Sequence, residues 1–143
     1  MTRRSMSEVR VGGRRIPLPK RTVERIVSAV LRGERRRALI SITFVGRDRM
    51  RRLNADYKGH DRPTDVLSFA LRDPSGIAVG DVYVCPWVAA REARARRIPL
   101  REELVRLIVH GTLHALGRSH PEGAGRERSA MWRRQERYVD ALA

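Results

Sequence analysis

Cysteine is nearly absent from this chain. Among 143 residues only Cys85 carries a thiol. No disulfide can form within the chain, which points to a reducing compartment, the cytoplasm. Lysine is almost as scarce, with Lys20 and Lys58 alone among 31 basic residues. Aromatic residues make up 5%, too few for a module that reads RNA by stacking bases on an aromatic sheet. No apolar run reaches the length of a membrane span, since Arg106 interrupts the longest. The first ten residues, MTRRSMSEVR, lack the apolar segment of a secretory signal, and the strand-like residues after them argue against an Arg-rich transit peptide.

What the chain has in excess is arginine. Its 31 basic residues stand against 16 acids, a formal net charge of +15. Genome composition accounts for arginine replacing lysine, but not for the net charge. A soluble domain this basic attracts polyanions, and guanidinium groups match phosphate oxygens in pairs, so nucleic acid is the expected partner. Hydrophobic residues at 41% are ordinary for a globular protein, and residues 1–143 suffice for one domain with its own core.

Periodicity organises that domain. VRVGGRRIPLP reads as strand, turn and strand, or as one strand and a loop. From Thr22 to Leu31 apolar residues recur at helical spacing, with Gly33 as the expected stop. ALISITFV alternates like a half-buried strand, and Gly46 to Gly59 predicts a helix with Met50, Leu53 and Tyr57 on one side. His60 to Pro63 is a loop, because proline pushes its predecessor out of helical geometry. DVLSFAL and IAVGDVYVC are strands joined by the turn DPSG. Three further helices are expected, over Trp87–Arg97, Leu100–Leu116 and about Arg126–Leu142. There is no repeat or linker, and the pattern predicts an α+β fold, a small sheet covered by helices.

Three of the four histidines fall in HGTLHALGRSH, His110 to His120. The helix over Leu100–Leu116 is apolar around nearly its whole circumference, except for one stripe. Glu103, Arg106, His110 and His114 follow at steps of three and four and share a face. Two imidazoles one turn apart can hold one metal ion. Gly117 lets the chain leave the helix, and His120, three residues later, is placed to complete a three-nitrogen set. A closed structural zinc site would use four ligands, commonly cysteine, whereas three histidines leave a position open for water. Zinc lowers the pKa of such water to ~7 and polarises a carbonyl or phosphoryl oxygen, which describes a hydrolase. The frame H-x-x-x-H-x-x-G-x-x-H is that of a zinc peptidase, yet the residue after the first histidine is Gly111 and not the general-base glutamate. Phosphodiester hydrolysis depends less on such a base, because stabilising the charge on phosphorus does much of the work.

These residues resemble a known family. HGTLHALGRSH is similar to the H-G-x-L-H-x-x-G-x-D-H signature of the YbeY family, bacterial rRNA-maturation endoribonucleases. LNADYKGHDRPTDVLSFAL, Leu53 to Leu71, resembles that family's L-N-x-x-Y-R-x-x-D-x-P-T-D-V-L-S-F-P stretch, and GDVYVCPWVAAREA its G-D-I-x-I-x-x-x-x-A segment. The resemblance implies a zincin-like fold, one zinc ion per chain on His110, His114 and His120, and single-strand-directed RNA hydrolysis. It further implies work on the 3′ end of small-subunit ribosomal RNA and in ribosome quality control, with ribosomal RNA and the ribosome as partners. Lys58 stands where the family has arginine, in the position of a catalytic and substrate-binding cation, and Arg62 beside it is a second candidate for the phosphodiester. Lysine keeps the charge but loses the planar fork. Ser119 replaces the family's aspartate, a carboxylate that would orient or tune the third ligand. His60 reads as a solvated loop residue, Asp65 as a structural hydrogen-bonding residue, and Asp81 as lining the cleft or ending a strand. Met131, Trp132, Tyr138 and Leu142 read as packing residues. Two rival readings stand beside the ribonuclease: a zinc peptidase or amidase, disfavoured by Gly111, and a non-enzymatic ribosome-assembly factor with a structural metal.

Overall fold

Period-two alternation builds the sheet on which everything else is mounted. The computed structural model describes residues 7–118, 125 and 129–143. The strands are β1 (Glu8–Gly13), β2 (Ala38–Phe44), β3 (Val66–Arg72) and β4 (Ala78–Val84). They lie in the order β1-β2-β4-β3, with β1, β2 and β4 mutually parallel and β3 antiparallel on the β4 edge. Ala38, Ile40, Ile42 and Phe44 of β2 alternate with half-buried residues, as do Ala78, Gly80, Val82 and Val84 of β4. Their buried faces meet two helices, α1 (Lys20–Glu34) and α4 (Leu100–Ala115), in the main core. Each fully buried Val, Leu or Ile there contributes about 1.5–3 kcal/mol relative to exposure.

The opposite face of β3 and β4 carries a smaller cluster. Val45, Met50, Leu67 and Cys85 pack there with Leu53, Phe69 and Tyr83, beneath α2 (Arg47–Lys58). Burial raises the Cys85 thiol pKa, with weaker opposing hydrogen bonds from the Val88 and Trp87 backbone, so it remains a protonated apolar filler. Helices α3 (Pro86–Arg96) and α5 (Ala130–Leu142) complete the described elements. No helix among the described residues is long and apolar enough to cross a membrane.

The described element boundaries lie close to the sequence expectation. VRVGGRRIPLP forms one strand and a loop. Helix α1 ends beside Gly33 as expected, one residue later at Glu34, and Arg35 closes it with left-handed backbone angles, φ 55°. Gly33 is small for another reason: a Cβ there would overlap the hydroxyl and ring of Tyr138 from α5. That hydroxyl donates to Glu34, which also accepts from Arg118 and Arg134, tying α1 to the end of α4 and to α5. The last helix begins at Ala130, capped by Ser129, whose hydroxyl accepts from the Trp132 backbone N–H at 3.1 Å. The expected start at Arg126 lies outside the described residues.

Candidate functional site

Helix α4 carries the site because it lies against the sheet at very close range. A Cβ on Gly111 would overlap a methyl of Val82, and a Cβ on Gly80 would overlap Ala115. The two contacts are one helical turn apart on α4 and two residues apart on β4, so both glycines serve the same close approach. Ser68 Oγ adds a 2.7 Å hydrogen bond to the Gly111 carbonyl, pinning β3 to α4. Gly111 is therefore required by packing, and no glutamate side chain has room at that position.

A flank of α4, about a quarter-turn round from Gly111, presents the polar stripe. His110 and His114 stand together, their rings edge to face with centroids 4.5 Å apart. His110 is 8% exposed and His114 half-buried. The Gln135 side-chain oxygen lies 2.7 Å from His110 Nδ1. Its amide nitrogen donates to Glu136 Oε2 at 3.0 Å, which fixes which end of the amide faces the histidine. An oxygen can only accept, so Nδ1 carries a proton, which in a neutral ring would leave the lone pair on Nε2. Histidines that bind metal are commonly held in this way by an acceptor on the far nitrogen. The donor set thus fits two ligands of a metal site.

A charge network supports this arrangement. Arg106 bonds Glu136 through two nitrogens at 2.8 and 2.9 Å, Glu102 at 3.0 Å and Glu103 at 3.2 Å. Arg96 of α3 also pairs with Glu103. Burial pushes the Glu103 carboxyl pKa up despite both arginines, whereas in Glu136 the Arg106 and Gln135 hydrogen bonds overcome burial and hold the carboxyl below its ordinary range. Arg106 is raised further, chiefly by its hydrogen bond to Glu136. The network joins α3, α4 and α5 around a cavity of about 340 Å³ lined by Asp65, Glu103, His110, Trp132 and Gln135 among others.

Among the described residues no group of three or more His, Cys, Asp or Glu is placed to hold a metal ion. The third expected ligand, His120, and Ser119 lie outside the described residues. Lys58 ends α2 with its ammonium 5.8 Å from the Phe69 ring centroid. Ser68 faces α4, so its neighbour Phe69, and Lys58 with it, stand on the opposite side of β3 from the histidines. Arg62 is exposed, and its carbonyl accepts from Asn54 Nδ2 at 2.8 Å. His60 is exposed, as expected. The Asp65 carbonyl accepts from the Cys85 N–H, while the residue also lines the histidine cavity. Asp81 does not end a strand but pairs in the middle of β4, opposite Ser41 and Phe69.

Gln135 is the residue that sequence reasoning missed. Its signal was present: it interrupts the apolar stripe Met131, Gln135, Val139 of α5 and is 1% exposed. A fully buried amide needs partners, and these are His110 and Glu136.

A family model described as Endoribonuclease YbeY matches residues 13–143. The chain belongs to the YbeY family. It is similar to the Endoribonuclease YbeY of Thermotoga maritima, 34% identical over 103 residues that cover 72% of this chain and 67% of the relative. To that of Alkalilimnicola ehrlichii it is 37% identical over 131 residues, 87% of this chain and 78% of the relative. Among solved structures, the solution structure of a Thermotoga maritima protein aligns with a TM-score of 0.67 at 27% identity, over 94% of this chain and 88% of that one. The mixed four-stranded sheet with its helices is consistent with the fold of this family.

Proposed function

We propose that the chain is a metal-dependent endoribonuclease that cuts single-stranded RNA in the maturation of the small-subunit ribosomal RNA 3′ end and in ribosome quality control. Membership in a family described as endoribonucleases supports RNA as substrate. The observation that carries the metal dependence is the His110–His114 pair, with the proton of His110 fixed on Nδ1 by Gln135. One zinc ion per chain on His110, His114 and His120 is the reading, and a helix bearing two such histidines beside an antiparallel edge strand supports a zincin-like fold. When bound, the ion supplies Lewis acidity and a nucleophile at neutral pH.

The chain's own residues do the rest. Gln135 keeps His110 in one tautomer, and the Arg106 network keeps Gln135 in place. The edge strand β3 borders the histidine helix on one side and Lys58 on the other. Lys58, with Arg62, therefore contributes by holding phosphates of the RNA strand at the sheet edge, and not by sharing the ligand shell of the ion. The net charge of +15 draws RNA to the surface, an attraction that salt weakens. Gly111 speaks against the peptidase reading, because packing on Val82 leaves no space for a carboxylate base.

The test is cleavage of a ribosomal RNA fragment containing the small-subunit 3′ end. Chelation and His114→Ala should each abolish it while the protein stays folded. Undiminished cleavage by metal-free protein would refute the metal-dependent reading, and ribosome binding without cleavage by the zinc-loaded chain would favour the assembly-factor reading.

A further inference from the structure

A second cavity lies apart from the one beside His110. It has a volume of about 770 Å³ and shares no lining residue with the histidine cavity. It opens where the three parallel strands end: Arg14 follows β1, Val45 follows β2, and Pro86 comes two residues after β4. The carboxyl ends of parallel strands are where ligands commonly bind in open sheets flanked by helices.

Its chemistry is specific. Arg14, Arg15, Arg49 and Arg52 line it, and no carboxylate does. None of these four arginines forms an ion pair among the described residues, whereas Arg10, Arg51, Arg96, Arg106, Arg118 and Arg134 each have an acidic partner. The wall between them is apolar, built from Ile16, Phe44 and Trp87. Trp87 is 42% exposed, with the guanidinium groups of Arg91 and Arg47 at 4.9 and 5.2 Å from its ring centroid. Arg47 pairs with Asp48, but the four lining guanidinium groups have no acidic partner among the described residues, and a flat apolar wall beside them fits an aromatic base attached to phosphate. Arg49 and Arg52 are one turn apart on α2, about 5–6 Å between Cβ atoms, and the other pair lies on the β1 exit. The positive charge thus spans more than one phosphate, which favours a strand over a free nucleotide.

We propose that this cavity is a second RNA-binding site, separate from the histidine site, which seats one unpaired nucleotide with its base against Trp87 and its flanking phosphates on Arg14, Arg15, Arg49 and Arg52. It deepens the ribonuclease reading and rests on it for the choice of RNA. Its role is to hold the strand at a distance from the point of cleavage, so that KM and not kcat depends on it.

Binding of a labelled, unstructured RNA oligonucleotide, followed by fluorescence anisotropy, tests the site. Placing all variants in a His114→Ala background separates binding from cleavage. Arg49→Ala/Arg52→Ala should weaken binding at least tenfold more than Arg25→Ala/Arg32→Ala, which removes equal charge from exposed positions on α1. The slope of log affinity against log salt should fall by about 1.4, from ~0.7 per phosphate contact. Trp87→Ala should weaken binding about fivefold or more with an unchanged slope. With His114 intact, Arg49→Ala/Arg52→Ala should raise KM for RNA cleavage and leave kcat unchanged.

Equal weakening by the α1 pair, or no effect of Trp87→Ala, would overturn the proposal. So would displacement of the RNA by adenosine monophosphate at concentrations matching the RNA's own affinity, which would make the occupant a free nucleotide. Failure of the ribonuclease reading looks different: the wild-type chain would cut no RNA, yet binding would remain sensitive to Arg49, Arg52 and Trp87.

Discussion

Replacing Gln135 by leucine removes the acceptor that faces His110 Nδ1 at 2.7 Å while keeping the volume of a residue that is 1% exposed. Two effects follow from the geometry. The Nδ1–H of a nearly buried imidazole loses its partner, which costs ~1–3 kcal/mol. Glu136 loses the Gln135 donor but keeps both bonds from Arg106, so that corner of the network survives. For a chain of this size about 2–4 °C of Tm corresponds to each kcal/mol, so metal-free Gln135→Leu should melt a few degrees below wild type. The larger effect belongs to the ion. With the ring free to turn and to move its proton to Nε2, zinc affinity should fall about 10–100-fold, the usual consequence of losing the group behind a histidine ligand. Competition with a chromophoric chelator measures it. Gln135→Glu, which keeps an acceptor facing Nδ1, should hold zinc far better than Gln135→Leu while losing stability through repulsion with Glu136. Wild-type zinc affinity in Gln135→Leu would show that Gln135 does not position His110 as a ligand.

Other perturbations probe the scaffold. Gly111→Ala should destabilise by about 1–3 kcal/mol through overlap with Val82, offset by a helix-propensity gain of ~1 kcal/mol, and a raised Tm would refute the close packing of α4 on β4. Gly111→Glu should fail to fold and should not yield a peptidase, which expression and a casein assay would check. The Glu34 carboxyl is buried, but hydrogen bonds from Arg134, Tyr138 and Arg118 outweigh that burial and hold its pKa below the ordinary 4.5. Its contribution is therefore present above pH 4.5 and lost as the pH falls through the folded value. Glu34→Gln should lower the urea midpoint at pH 7, with the gap to wild type narrowing below pH 4.5; a gap independent of pH would contradict the charged pairing. Desolvation of the half-buried Tyr138 hydroxyl, with its hydrogen bond to Glu34, pushes its pKa up to about 12, so the Tyr138→Phe difference in phenolate absorbance should appear only well above pH 10; a difference complete by pH 10 would contradict this environment.

The elements of this fold were largely legible because each carries its own period. ALISITFV and IAVGDVYVC alternate, and the Leu100–Leu116 segment shows a polar stripe on an apolar helix. The histidine pair was legible for the same reason, since a spacing of four fixes a shared helix face. Relations that depend on distant chain segments were not. Gln135 lies 25 residues from His110 in sequence, and only the docking of α5 on α4 makes it the partner of Nδ1. Gly33 marked the end of α1 to within one residue, but the contact that keeps it small, with Tyr138 from the far end of the chain, has no local trace. Gly111 looked like a missing catalytic base when it is a packing requirement set by Val82. The arginine cavity was invisible in the same way: Arg14, Arg49 and Trp87 meet because the parallel order β1-β2-β4 brings three strand ends together. Low aromatic content argued against a stacking sheet and was silent about a single exposed tryptophan.

The most direct test of the metal-dependent ribonuclease is a paired measurement on one preparation, zinc bound per chain and the rate of ribosomal RNA cleavage, for wild type and His114→Ala. One zinc per chain with cleavage in wild type, and loss of both in a folded His114→Ala, is the predicted result. RNA cleavage retained by a His114→Ala protein that binds no zinc would contradict it.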